Sequence, residues 1–337
     1  MPTLHEPDGN QPEYSASTAG HVAHPGRPLA PRLILGGQLR RLREHRGLEI
    51  NTAAQATGIS RFKLSRIELG KVPTKQDDLT KLFTYYQLTD DQVRSTLREL
   101  AHQANLPGWW ELTSTWLPEG LDRLLSLEPV AWRILCYEQR LIPELLQTEE
   151  YSRAALRMAY PDRPFAELEQ LVALHQRRKE RLVQSTWPRA WFLVEAAAMR
   201  ARIGGDDVWR RQLDHLIELS RLHAISLQVV REEAIGPAQL DHGFTYLVYT
   251  DGDLSDTVSF QRLNCFEYEQ NEKQTRRYFE QFHRLAVYAE LPGDKKGDTT
   301  DVIQTLRDCR PLRPVRSHKF QSEAASGPEA PPPPGHP

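Results

Sequence analysis

Arg61, Phe62, Lys63 and Arg66 set two guanidinium groups, an ammonium and an aromatic ring within six consecutive positions. That chemistry suits the edges of base pairs: arginine donates two parallel hydrogen bonds to guanine, and an apolar ring contacts a thymine methyl. Arg40, Asn51, Thr52 and Ser60 precede this set, and Lys71 and Lys75 follow it. Cationic and small polar side chains of this kind bond phosphate oxygens and fix register without reading sequence. Between Arg32 and Lys75 the chain holds ten cations against three carboxylates, a local +7 in a protein of net −2. The remainder therefore sums to −9, which makes a basic module on an acidic body.

Such residues work only if a scaffold presents them together. Leu35, Leu39 and Leu42 recur at helical spacing and predict a first helix over residues 35–46. Arg40, Arg41, Arg43 and Arg46 fall mostly off its apolar stripe, and Gly47 ends it. A second helix is predicted from Ile50 to Thr57, where the small Ala53 and Ala54 let a neighbour approach. Gly58 supplies the turn, Ile59 plugs the angle between helices, and Ser60 caps a third helix over residues 61–69. Leu64 and Ile67 are its buried side and Gly70 its end. This order of parts is the layout of a helix-turn-helix reader, whose recognition helix puts its first turn in the major groove. Thr74-x-x-Asp77 and Thr89-x-x-Gln92 read as capping boxes for two more helices. The expected head is an all-α, five-helix domain over residues 31–105.

Ser65-Arg66-Ile67-Glu68-Leu69-Gly70-Lys71-Val72-Pro73 resembles the end of the recognition helix in lambda-repressor-like regulators of the xenobiotic-response-element family. The resemblance covers about residues 33–104 and implies binding of double-stranded DNA. It also implies an ion pair between the first helix and the end of the third, here Arg43 with Glu68. The remainder resembles the antitoxin-like C-terminal domain of unknown function common on actinomycete-type regulators. Leu141-Ile142-Pro143-Glu144-Leu145-Leu146-Gln147-Thr148-Glu149-Glu150-Tyr151, Val194-Glu195-Ala196-Ala197, Gln212-Leu213 and Gly243-Phe244-Thr245 carry that likeness. Glu144 stands where the family usually has glycine, and Arg231 where proline is common. The resemblance implies a small partner protein encoded nearby.

The rest of the chain predicts a larger α+β domain over residues 121–310, mostly helical with a small sheet, reached through a linker at 106–120. Residues 121–136, 148–158, 165–183, 207–222 and 270–288 read as helices, and 226–230, 244–249 and 257–261 as strands. Residues 191–194 are a short apolar run. Trp109, Trp110, Trp116, Trp132, Tyr137 and Tyr151 cluster around the linker; most should be core, and a fraction could line a pocket for a small-molecule effector. Residues 1–30 and 311–337 cannot support a core and read as disordered arms, the second ending in four consecutive prolines before Gly335.

No phosphate-cradling glycine loop, His-Glu-x-x-His, Gly-x-Ser-x-Gly or paired-cysteine signature occurs. No catalytic residue, cofactor or metal is therefore expected, and the chain does not read as an enzyme. Glu149-Glu150, Asp206-Asp207 and Glu232-Glu233 are neighbouring acids that point apart on a helix and suit helix N-termini or solvated faces. His175, His215, His223, His242 and His283 lack metal spacing. Cys136, Cys265 and Cys309 are odd in number and far apart, which fits a reducing compartment. With no run of 18 apolar residues and no secretory leader, the expectation is a cytoplasmic DNA-binding regulator. One short helix covers few base pairs, so a homodimer is expected.

Overall fold

The structure is a computed structural model that describes residues 29–111, 116–184, 189–231, 240, 242–250, 252–262, 264–290 and 298–308. Helix α1 (Leu29–His45) starts earlier than the leucine spacing indicates, within the stretch read as an arm. The rest of that arm and the whole proline-rich tail lie outside the described residues. After α1 come α2 (Ile50–Thr57), α3 (Arg61–Glu68), α4 (Gln76–Tyr85) and α5 (Asp91–Gln103). Leu35, Leu39, Ala53, Ile59, Leu64, Ile67, Leu79, Leu82, Phe83 and Leu97 share one buried core. The α2–α3 turn rests on Gly58 at φ 68°, a left-handed conformation that a side chain would strain.

Two caps differ from the capping-box reading. Helix α4 begins after Lys75 with no side-chain cap, and Thr74 is buried instead. Helix α5 is capped by Asp90, whose Oδ1 accepts from the N–H groups of Gln92 and Val93 at 2.8 and 3.1 Å. A carboxylate meets two orphan donors and the positive helix end at once, so it displaces the neighbouring Thr89.

Helix α1 packs on the end of α3 through Gly36. A Cβ there would lie 2.5 Å from the carbonyl oxygen of Ile67 and 2.7 Å from that of Glu68. Both obstacles are backbone, so the helices would have to part. Gly36→Ala is expected to destabilise the head by about 1–3 kcal/mol, although alanine is the better helix former by about 1 kcal/mol. Thermal unfolding checks this; unchanged stability would mean the α1–α3 contact yields freely.

The body begins with α6 (Leu121–Leu127), a 3-10 turn (Glu128–Val130) and strand β1 (Arg133–Glu138). A second 3-10 turn (Glu144–Leu146) leads into α7 (Glu149–Ala159) and α8 (Phe165–Val183). Then follow β2 (Ala190–Glu195), α9 (Ala196–Arg200), α10 (Asp206–Leu219), β3 (Ile225–Val230), β4 (Phe244–Val248), β5 (Thr257–Gln261), β6 (Phe266–Glu269), α11 (Glu272–Tyr288) and α12 (Thr299–Arg307). Among the described residues the strands form one sheet ordered β3-β2-β1-β4-β5-β6. The first three run parallel, with Ile134 opposite Ala190 and Ala190 opposite Ile225. The others run antiparallel, with Tyr137 opposite Phe244 and Thr245 opposite Ser259. Ile134, Cys136, Phe192 and Val194 face the core shared with α6, α7, α8, α10 and α12, while Leu135, Tyr137, Leu193 and Phe244 face α11.

The class is mixed α+β, but the sheet is larger than the sequence reading allows. Residues 133–136, read as the tail of a helix, belong to an interior strand, β1. Its middle four residues are all buried, so it lacks the alternation of a half-exposed strand and its apolar run merges with that of α6. The run at 191–194 is likewise strand β2, and β6 and α12 have no counterpart in the reading.

Helix α1 also ties the head to the body. The N–H of Ala30 donates to Ser126 Oγ at 2.7 Å, and Ala30 and Leu33 pack into the body's core. Further along, Gln38 donates to Asp253 at 3.1 Å and Arg41 pairs with the same carboxylate, which sits between β4 and β5.

Candidate nucleic-acid interface

Helix α3 owes its start to Ser60, whose Oγ accepts from the N–H of Lys63 at 3.2 Å. Leu64 and Ile67 bury its inner face, so the first turn is left outside. Arg61 and Phe62 are exposed there, and the Arg66 guanidinium lies over the Phe62 ring, 5.3 Å from its centroid. This stack holds a cation and an aromatic edge together on one surface. Asn51 and Thr52 are exposed in the first turn of α2, where backbone N–H groups and the helix dipole favour phosphate. Ser60, Lys71 and Lys75 are exposed as well. Arg40 is exposed but bonded to Glu44 at 2.7 Å, which ties part of its charge to the helix surface.

The floor of the site is the Arg43–Glu68 pair. Arg43 Nε and Nη2 donate to the two carboxylate oxygens of Glu68 at 2.7 and 2.9 Å, and Nη1 donates to the Leu48 carbonyl at 2.8 Å. Both side chains are buried, and the hydrogen bonds that Arg43 donates to Glu68 raise its pKa against the opposing effect of burial. One guanidinium thus pins α1, the loop before α2 and the end of α3 to one another, which fixes the angle at which α3 projects.

Lys63 is placed differently from its neighbours. Its ammonium lies 2.6 Å from Asp78, a buried carboxylate in the first turn of α4, so the charge expected to face bases is engaged within the head. Fifteen residues separate the two, and no local pattern announces the contact. Lys63→Met leaves Asp78 buried without its cation and is expected to cost about 1–3 kcal/mol of head stability. Its base preference should change less than that of Arg61→Ala. A shift in preferred base as large as the Arg61 variant's, in the same binding assay, would return Lys63 to base reading.

The body has its own buried charges. Arg178 donates to Glu128 through Nε and Nη2, at 3.1 and 2.7 Å, and to Glu144 through Nη1 at 2.6 Å. Glu144, the residue that stands where glycine is usual, is thus a partner for a buried guanidinium. His175 beside it has its pKa lowered by burial, and its Nδ1 lies 3.1 Å from Ser152 Oγ. Glu149-Glu150 and Asp206-Asp207 occupy the first turns of α7 and α10. Glu232-Glu233 and Cys309 lie outside the described residues.

Glu138, at the end of β1, lies against Gly243, and burial with the neighbouring charge of Glu144 raises its pKa to about 8 from 4.5. Below 4.5 the proton is bound in folded and unfolded chains alike. Between 4.5 and about 8 only the unfolded chain ionises, so this group makes stability fall as pH rises. Glu138→Gln should therefore flatten the decline between about pH 5 and pH 8 in urea titrations. Parallel wild-type and variant profiles would contradict it.

None of the described helices is long and apolar enough to cross a membrane. Comparison with known proteins gives two family matches. Residues 34–97 match the family described as a helix-turn-helix domain, which covers α2, α3 and their supports. Residues 121–303 match the family described as a domain of unknown function, DUF5753. No curated protein and no solved structure matches the chain. Since the second match spans more than half of the 337 residues, the chain belongs to the DUF5753 family and carries a helix-turn-helix domain ahead of that region.

Proposed function

We propose that this protein is a sequence-specific transcriptional regulator that binds operator DNA as a homodimer, with the first turn of α3 in the major groove. One observation carries the reading. Phe62 is 72 % exposed at the start of that helix, although burying such a ring is worth about 1.5–3 kcal/mol. Beside Arg61 and under Arg66 it makes a surface with one apolar element and two bidentate donors, the combination that distinguishes thymine methyls and guanine edges. The helix-turn-helix match supports the class of activity. Dimerisation rests on size: a recognition helix of eight residues spans too few base pairs for a unique site.

Selection of bound sequences from random duplexes with the full chain tests this. Enrichment of two inverted half-sites, with centres about 34 Å or a multiple of it apart, is expected. An unpaired half-site would remove the dimer, and no enrichment would remove sequence reading.

A further inference from the structure

We propose that the cleft between Trp109, the 3-10 turn at Glu128–Val130 and the C-terminal end of α8 binds a small oxyanion, phosphate or carboxylate, carried on an apolar body. The cleft has a volume of about 300 Å³ and is lined by Trp109, Glu128, Ile134, Arg181, Leu182 and Arg189 among others. That size is at the lower end of small-molecule sites. It opens beside the segment that leaves the head.

Three properties of the lining point to the ligand class. The first is unbalanced charge in an otherwise acidic body. Arg178 at the base bonds both Glu128 and Glu144, while among the described residues Arg181 and Arg189 have no carboxylate bonded to them, so the three cations exceed the two carboxylates by one. Arg189 is held by its own Nη2, which donates to the carbonyls of Glu128 and Pro129 at 3.1 and 2.6 Å. Burial lowers its pKa, and Arg181 adds to that effect against the pull of Glu128. An anion in the cleft would relieve both cations.

The second property is Trp109. Arg177 and Arg181 lie over its ring, 5.2 and 4.8 Å from the centroid, so the indole fixes where the Arg181 charge sits. Its Nε1–H is buried and, among the described residues, meets no acceptor. An unmet buried donor is costly, and a ligand oxygen would satisfy it. The third property is the wall of Ile134, Leu145 and Leu182, which offers hydrocarbon to the remainder of the ligand.

Calorimetric titration of the full chain, without DNA, tests the site with 1-naphthyl phosphate, 1-naphthoate, 1-naphthol and inorganic phosphate. At least one of the two naphthyl acids should bind, with naphthol weaker by about tenfold or more. The tighter of the two acids identifies the oxyanion as phosphate or carboxylate. Arg181→Gln, at an exposed position safe for folding, should weaken that acid about tenfold, and Trp109→Phe, which keeps the ring and loses the donor, about threefold. Arg276→Gln, on the exposed face of α11, should leave binding unchanged. No binding of either acid at millimolar concentration, naphthol binding as tightly as the acids, or indifference to both Arg181→Gln and Trp109→Phe would overturn the proposal. Because DNA is absent, the outcome bears on this cleft alone and not on the reading of α3.

Discussion

Arg43→Ala is expected to destabilise the head by about 3–5 kcal/mol, because it strands the Glu68 carboxylate in a buried place with no cation to meet it. The geometry supports a value in that range: two short charge-assisted bonds, a third bond to the Leu48 carbonyl, and side chains only 10 % and 4 % exposed. A surface pair would be worth less than 1 kcal/mol. In a small domain the loss corresponds to a fall in melting temperature of at least about 12 °C. Amide hydrogen exchange of the α2–α3 peptides localises the effect, since the body should keep its protection. Replacing both residues together, Arg43→Met with Glu68→Leu, should recover part of the loss, because it removes the stranded charge. Full stability in Arg43→Ala would show that water reaches Glu68 and that the pair does not set the angle of α3.

The second large effect concerns binding. Arg61→Ala should cost about 1–3 kcal/mol against the preferred operator and should abolish discrimination at one base position. Lys71→Ala should weaken every duplex alike and reduce the salt dependence of log K by about one unit, as expected for a lost phosphate contact. The two variants differ in kind, so they are compared on a panel of single-base operator variants. Equal loss on every sequence for Arg61→Ala would move it from base reading to phosphate binding.

Much of the interface is legible because its signals are local. A hydroxyl before a charged, apolar-striped segment places the start of α3 at Arg61, and a glycine between two such segments places the turn; the structure has both. Contacts between residues distant in the chain leave no such mark. Asp78 captures Lys63, Asp253 captures Arg41, and nothing near any of the four predicts it. Part of the +7 counted from sequence is thereby engaged inside the protein. Strand β1 is hidden for another reason, since burial on both faces erases its period.

Two further features leave a mark in the sequence. Gly36 and Gly37 interrupt an otherwise good helix at a cost of about 1 kcal/mol each, which flags a close approach by another backbone. Arg178 falls on the apolar stripe of α8 with Leu171, His175 and Leu182. A cation on a buried stripe announces an ion pair, though it does not name Glu128 or Glu144 as the partners.

The most direct measurement is the equilibrium affinity of the full chain for its selected operator against a scrambled duplex of equal length, by fluorescence anisotropy at about 150 mM salt. Reading through the exposed first turn of α3 predicts at least ~10³-fold tighter binding to the operator. Equal affinity for both duplexes, or no binding to either in dilute buffer, would contradict it.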